Sequence, residues 1–139
     1  MISYNTVGVE MPPIDQPHVS AWVRQVAERY GKKVGDINFI FVSDEEILRI
    51  NREYIQHDYY TDHIGFDYSS GNVLSGDVFI GVETVASNAE LIGETYRREL
   101  HRVIIHGVLH LCGIKDKTPE LRMQMEAAEN AALALAVWL

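Results

Sequence analysis

His106-Gly107-Val108-Leu109-His110-Leu111-Cys112-Gly113-Ile114-Lys115-Asp116 is the stretch that decides how this 139-residue chain is read. Histidines at i and i+4 lie on one face of a helix, about 40° apart around its axis. Three residues past His110, Gly113 can take a left-handed conformation and end the helix. The chain can then double back and bring Asp116 against the two imidazoles. Two neutral nitrogens and one carboxylate leave a fourth position open on Zn²⁺, which is how catalytic zinc sites are built. The pattern predicts a metal-activated water held through His106, His110 and Asp116. The alternative is a plain helix whose histidines are satisfied by hydrogen bonds and whose Asp116 pairs with Lys115 or Lys117. Cys112 falls roughly 240° around the axis from His106, so it is expected to face the core. Gly107 stands where the metalloprotease motif H-E-x-x-H carries its glutamate base. It cannot transfer a proton, which disfavours peptide hydrolysis; attack on a phosphodiester stays open, because a metal can polarise a phosphoryl oxygen.

Outward from this motif, Thr95 can cap a helix over about 96–112. Its Leu100, Val103, Ile104, Val108 and Leu111 cover most of its surface, which predicts a central helix carrying the metal pair on a rigid element. Thr118-Pro119-Glu120 opens a last helix running to about Trp138, with proline at the first helical position. Upstream, a helix over about Glu83–Leu91 is stopped by Gly93. Ile64–Tyr68 and Val78–Val82 are predicted strands joined by the turn-rich Ser69-Ser70-Gly71-Asn72. Ser43-x-x-Glu46 is a capping box opening a helix to about Tyr54, after a buried strand over Ile37–Val42. Residues 2–9 form a first strand, and an amphipathic helix follows Pro17 and ends at Gly31. The expectation is one α+β domain over 1–139: a small mixed sheet packed with about five helices, the central one bearing the metal motif.

Composition narrows the class. Hydrophobic residues make up 47% and charged residues 23% of the chain, as in ordinary globular proteins, and the length suffices to bury about two-thirds of the unfolded surface. No apolar run approaches the roughly 18 residues of a membrane span. No basic-then-apolar leader opens the sequence, and a single cysteine cannot form an internal disulfide. These features predict a cytoplasmic protein without a membrane partner. The net charge of −8 argues against nucleic-acid binding, because neutralising phosphates needs Lys or Arg. Distribution counts for more than the total. Arg97, Arg98 and Arg102 lie on the predicted motif helix, Lys115 and Lys117 follow it, and the acidic residues gather elsewhere, at Asp44-Glu45-Glu46 and Glu120–Glu129.

The motif resembles H-G-x-L-H-L-x-G-Y-D-H of the bacterial YbeY family, single-strand-specific endoribonucleases of ribosomal RNA maturation. Ile50-Asn51-Arg52-Glu53-Tyr54, Asp58, Thr61-Asp62 and Gly76-Asp77-Val78-Phe79-Ile80 match in order, so the resemblance covers about residues 35–125. It implies an α+β fold, a zinc ion held by three histidines on and just after one helix, and action on 16S rRNA. The chain departs from the family at three places. The third histidine falls on Asp116, the tyrosine after the glycine is Ile114, and the arginine of the Asn-x-x-Tyr-Arg segment is replaced by Ile55. An aspartate in place of a histidine lowers the charge of the centre, and two histidines with a carboxylate also suit Fe(II) and other first-row divalent ions.

By family position Asp62 lies near the metal cleft, where it can orient a ligand histidine by accepting its other N–H. Asp77 is as readily a turn or capping residue. His57, His63 and His101 lack helical spacing with the motif pair and are expected not to be ligands, although His63, at an apolar family position, is placed to line the cleft. His18 is remote. The resemblance implies a zinc-dependent endoribonuclease working on ribosomal RNA or the small ribosomal subunit, with ribosome-associated proteins as further partners, and with Arg97, Arg98, Arg102, Lys115 and Lys117 as candidate RNA contacts. Two rivals remain open. One is a non-catalytic ribosome-associated metal-binding module that has lost turnover along with the arginine at Ile55. The other is a metal-dependent hydrolase of a small substrate, which the acidic charge suits better.

Overall fold

The structure, a computed structural model, describes residues 1–55 and 61–139. His57 and Asp58 lie outside the described residues, as does the side chain of Ile55. In chain order the elements are β1 (Ile2–Val7), α1 (Gln16–Arg29), β2 (Lys33–Val42), α2 (Asp44–Ile50), β3 (His63–Asp67), β4 (Val73–Gly81), α3 (Val82–Ile92), α4 (Tyr96–Leu111) and α5 (Pro119–Leu135). The sheet order is β1-β2-β4-β3. β1 and β4 both run parallel to β2, whereas β3 returns antiparallel along β4. The expected α+β fold, with a mixed sheet and five helices, is what the chain adopts.

Local chemistry sets most element ends. Thr95, Ser43 and Thr118 each accept the backbone N–H three residues on and cap α4, α2 and α5; each such cap stabilises its helix by about 1 kcal/mol. Gly93 ends α3 at φ +71°, a conformation costly for residues with a Cβ. Several boundaries differ from expectation: β2 begins at Lys33 rather than Ile37, and α5 ends at Leu135 rather than near Trp138. α2 stops at Ile50 and continues as one wider π-helical turn over Asn51–Ile55, and at its start Glu46 turns to Arg49 instead of closing the capping box. β4 begins at Val73 rather than Val78, since Val73 and Leu74 pair with Lys33 and Val34 of β2.

The sheet is apolar on both faces. Ile37, Phe39 and Phe41 of β2 and Leu74, Val78 and Ile80 of β4 join α1, α4 and α5 in the main core. Ile64 and Val42 pack with Ile47 and Ile50 of α2 in a smaller cluster. Trp22 of α1 donates its indole N–H to the Ala132 carbonyl of α5 at 2.8 Å, locking two helices of the main layer together. α4 is central as expected: Leu100, Val103, Ile104, Ile105, Val108, Leu109 and Leu111 are all buried. It crosses β4 so closely that a Cβ at Gly107 would lie 2.7 Å from Val78 Cγ1. The missing glutamate of the H-E-x-x-H pattern therefore has a packing reason, since no side chain fits there.

Candidate metal centre

The end of α4 builds the site. Gly113 takes φ +98°; its N–H bonds the His110 carbonyl at 3.0 Å and the Ile114 N–H bonds the Leu109 carbonyl at 3.1 Å. This paired arrangement closes the helix and reverses the chain. The reversal puts Asp116 Oδ2 3.2 Å from His110 Nε2 and 3.4 Å from His106 Nε2. Cys112 packs against the main core, and burial pushes its thiol up to about 11.

A third imidazole arrives from the sheet. His63 opens β3, and one ligand atom from each of His63, His106 and His110 lies within 4.8 Å of the other two. The His63 ring centroid lies 4.5 Å from that of His106 and 5.8 Å from that of His110. His63 was set aside for want of helical spacing. That criterion cannot see a ligand that comes from a neighbouring strand. His101, by contrast, is buried and turned away, donating Nδ1–H to the Arg97 carbonyl at 2.6 Å beside Trp22 and Trp138.

Carboxylates fix two of the rings. His106 Nδ1 lies 2.5 Å from Glu129 Oε2, and His63 Nδ1 lies 2.9 Å from Asp62 Oδ1. Each pairing places the proton on Nδ1 and aims the Nε2 lone pair outward, the usual support for a ligand histidine. Burial lowers the pKa of His106, but the Glu129 hydrogen bond and the charges of Glu129, Asp62 and Asp116 outweigh it and leave the pKa raised. Burial, followed by the neighbouring His106 charge, pushes His110 down. Asp62 is raised by burial, yet its bond from His63 and the charges of His63 and His106 leave it lowered. The sequence placed Glu129 only in the acidic stretch Glu120–Glu129, away from the basic residues. Its signal was its place in the apolar stripe of α5, with Met125, Ala132 and Leu133, all buried.

His106 Nε2 tests whether these residues suit a metal. It is buried and has no hydrogen-bond partner, a costly state for a polar atom unless a ligand satisfies it. Two donors about 2.1 Å from one ion stand roughly 3.0–3.4 Å apart, and the Asp116 distances fall in that range. The cluster of His63, His106 and His110 could hold a divalent first-row ion.

The family model described as endoribonuclease YbeY matches residues 8–136. The chain belongs to the YbeY family. Among curated proteins named endoribonuclease YbeY, that of Phocaeicola vulgatus is 61% identical over 97% of this chain and 98% of its own length. The Bacteroides thetaiotaomicron protein is 57% identical over 96% and 98%, and the Porphyromonas gingivalis protein 48% identical over 96% and 89%. A Thermotoga maritima protein solved in solution has a similar fold, with a TM-score of 0.66 over 96% of this chain and 90% of that one, at 24% identity.

The basic residues of this YbeY chain divide into two groups. Lys115 and Lys117 line a hollow of about 290 Å³ with Asp67, His110 and Asp116. Arg102 lines a groove of about 410 Å³ with Arg122, His106, Asp116 and Glu129, and pairs there with Glu99 at 3.3 Å and Glu129 at 3.2 Å. Arg97 and Arg98 are spent elsewhere. Arg97 reaches the Trp138 carbonyl at 3.5 Å, and Arg98 pairs with Glu94 at 3.6 Å. Asp77 accepts from Asn38 at 3.0 Å across the sheet, a bracing role between strands. No helix of the described residues is long and apolar enough to cross a membrane.

Proposed function

We propose that this chain is a metal-dependent endoribonuclease that cuts single-stranded RNA in 16S rRNA maturation and ribosome quality control. His106, His110 and Asp116 hold the ion, and zinc is the ion that the family resemblance favours. The observation that carries this is the convergence of these donors around the buried, unpartnered Nε2 of His106, in a chain whose curated relatives are named endoribonuclease YbeY.

When bound, a divalent ion supplies Lewis acidity toward a phosphoryl oxygen and toward water. The chain's own residues do the rest. Glu129 and Asp62 hold the imidazoles in orientation through Nδ1. Lys115 and Lys117, beside His110, neutralise the phosphates that flank the scissile bond. Arg102, already paired with Glu99 and Glu129, steadies Glu129 and contributes less free charge to RNA. Gly107 offers no carboxylate base, so the H-E-x-x-H route to peptide hydrolysis is closed to this site. With net charge −8 few phosphates are neutralised. Productive binding therefore relies on the small ribosomal subunit or an associated protein to present the strand.

The test is cleavage of single-stranded RNA, duplex RNA and small ribosomal subunits by metal-loaded protein, with His110→Ala purified identically. Cleavage confined to single strands and lost in His110→Ala is expected. Equal activity in the two proteins would assign it to a contaminant. No cleavage even of ribosomal subunits would leave a metal-binding module.

A further inference from the structure

We infer that His63 is a fourth protein donor beside His106, His110 and Asp116, and that the centre therefore suits an ion taking five or six ligands. The inference rests on the metal-centre reading above and deepens it. His63 comes from β3, not from the motif helix, and its place beside the motif pair calls for its own explanation.

Three observations converge on His63. Its ligand atom lies within 4.8 Å of those of His106 and His110. Its ring stands edge-on to His106, with centroids 4.5 Å apart, so the two imidazoles are in direct contact. Its Nδ1 is taken by Asp62, as the Nδ1 of His106 is taken by Glu129. A carboxylate on the far nitrogen is the support that ligand histidines carry, and it leaves Nε2 of His63 for the ion. A surface histidine merely paired with an aspartate would not need to face two further imidazoles. It is also well covered, with its side chain only 22% exposed.

The number of donors then constrains the ion. Zinc in structural sites is almost always four-coordinate, closed by four protein ligands. A centre with four protein donors keeps room for water or a phosphoryl oxygen on an ion that accepts a fifth or sixth ligand, as zinc does in expanded catalytic sites and as Mn²⁺, Fe²⁺ or Co²⁺ do. Mixed imidazole and carboxylate donors suit such ions. The histidine that the family carries at the position of Asp116 is in effect returned from β3, while the aspartate is kept as an additional donor.

The probe is Co²⁺ added to the metal-free full-length chain, with circular dichroism confirming that each variant is folded. In the wild type we expect weak visible bands, as for a five- or six-coordinate ion, and three strongly shifted exchangeable imidazole protons in the NMR spectrum. His63→Val should show the intense bands of a four-coordinate ion and two such protons. Two protons in the wild type, or identical bands and affinity in His63→Val, would remove His63 from the donor set. Intense bands in the wild type would overturn the coordination number. The proton count is made on the unmodified protein, so it decides the role of His63 even if His63→Val fails to fold. His110→Ala should bind no stoichiometric Co²⁺. If it binds like the wild type, the metal centre itself is wrong, whatever His63 does.

Discussion

Glu129 of α5 accepts the Nδ1–H of His106 of α4 at 2.5 Å, and a second oxygen of the same carboxylate takes Arg102 at 3.2 Å. One buried acid thus joins the last helix to the ligand helix and sets the tautomer of the ring at the centre of the donor set.

Glu129→Gln keeps the volume and an acceptor for His106 but removes the charge. Metal affinity should fall by about tenfold, the lower end of what loss of such a partner costs. Competition against a coloured chelator measures it. An unchanged affinity would show that Glu129 serves only the Arg102 pair.

Gly107→Ala should destabilise the fold by about 1–3 kcal/mol, the usual cost of overpacking, because the new Cβ meets Val78 at 2.7 Å. Urea denaturation reads this directly. A midpoint equal to that of the wild type would mean that α4 can lift off β4 at no cost.

Metal loading should stabilise the chain. Asp62, Glu129 and Asp116 crowd the imidazoles with negative charge, and an ion bound only by the folded state adds about 2.7 kcal/mol at a hundred times its Kd. Thermal melts with and without a chelator test this. Superimposable melts would argue against an ion bound here.

His101 should make the acid side of the stability curve steeper. Burial holds its pKa below the ordinary histidine value, partly offset by the Arg97 carbonyl. Above about pH 6.5 both folded and unfolded forms are neutral, and His101 contributes no slope. As pH falls below that value the unfolded chain takes up a proton that the folded chain refuses, so stability is lost until pH passes the folded pKa. The loss approaches about 1.4 kcal/mol per pH unit. His101→Phe removes this contribution. Denaturation of both proteins between about pH 4.5 and 7.5 should give curves that diverge on the acid side, with the variant the flatter. Parallel curves would show that His101 titrates alike in both states.

Cys112 should react slowly with alkylating agents. With its thiol pushed up to about 11 by burial, little thiolate exists near neutrality, and its rate at about pH 8 should be at least roughly tenfold below that of an unhindered thiol. Rapid labelling of folded protein would contradict that burial.

What could be read from the residues was what local chemistry decides. The caps at Ser43, Thr95 and Thr118 and the glycine stops at Gly93 and Gly113 announce themselves, because each acts within a few residues. Asp116 could be foreseen near His106 and His110 because one left-handed glycine separates them. The sheet order and the early start of β4 could not be foreseen. Both depend on β2 lying between β1 and β4, a pairing between distant segments. His63 escaped because its nearness to His106 is set by β3 lying along β4, not by spacing in the chain. Glu129 was legible in principle, since an acid within an apolar helical stripe needs a buried partner. It was overlooked because its neighbours Glu120 and Glu126 are ordinary exposed acids.

The parallel register of β2 with β4, in which Ile37 meets Gly76 and Phe41 meets Ile80, also bears on timing. Strands so far apart along the chain pair late, after the segment between them has collapsed. His63 lies in that intervening segment, and Glu129 arrives with the last helix, whereas His106, His110 and Asp116 are neighbours along the chain. The imidazole from the sheet and the carboxylate that orients His106 therefore reach the motif only with the tertiary fold.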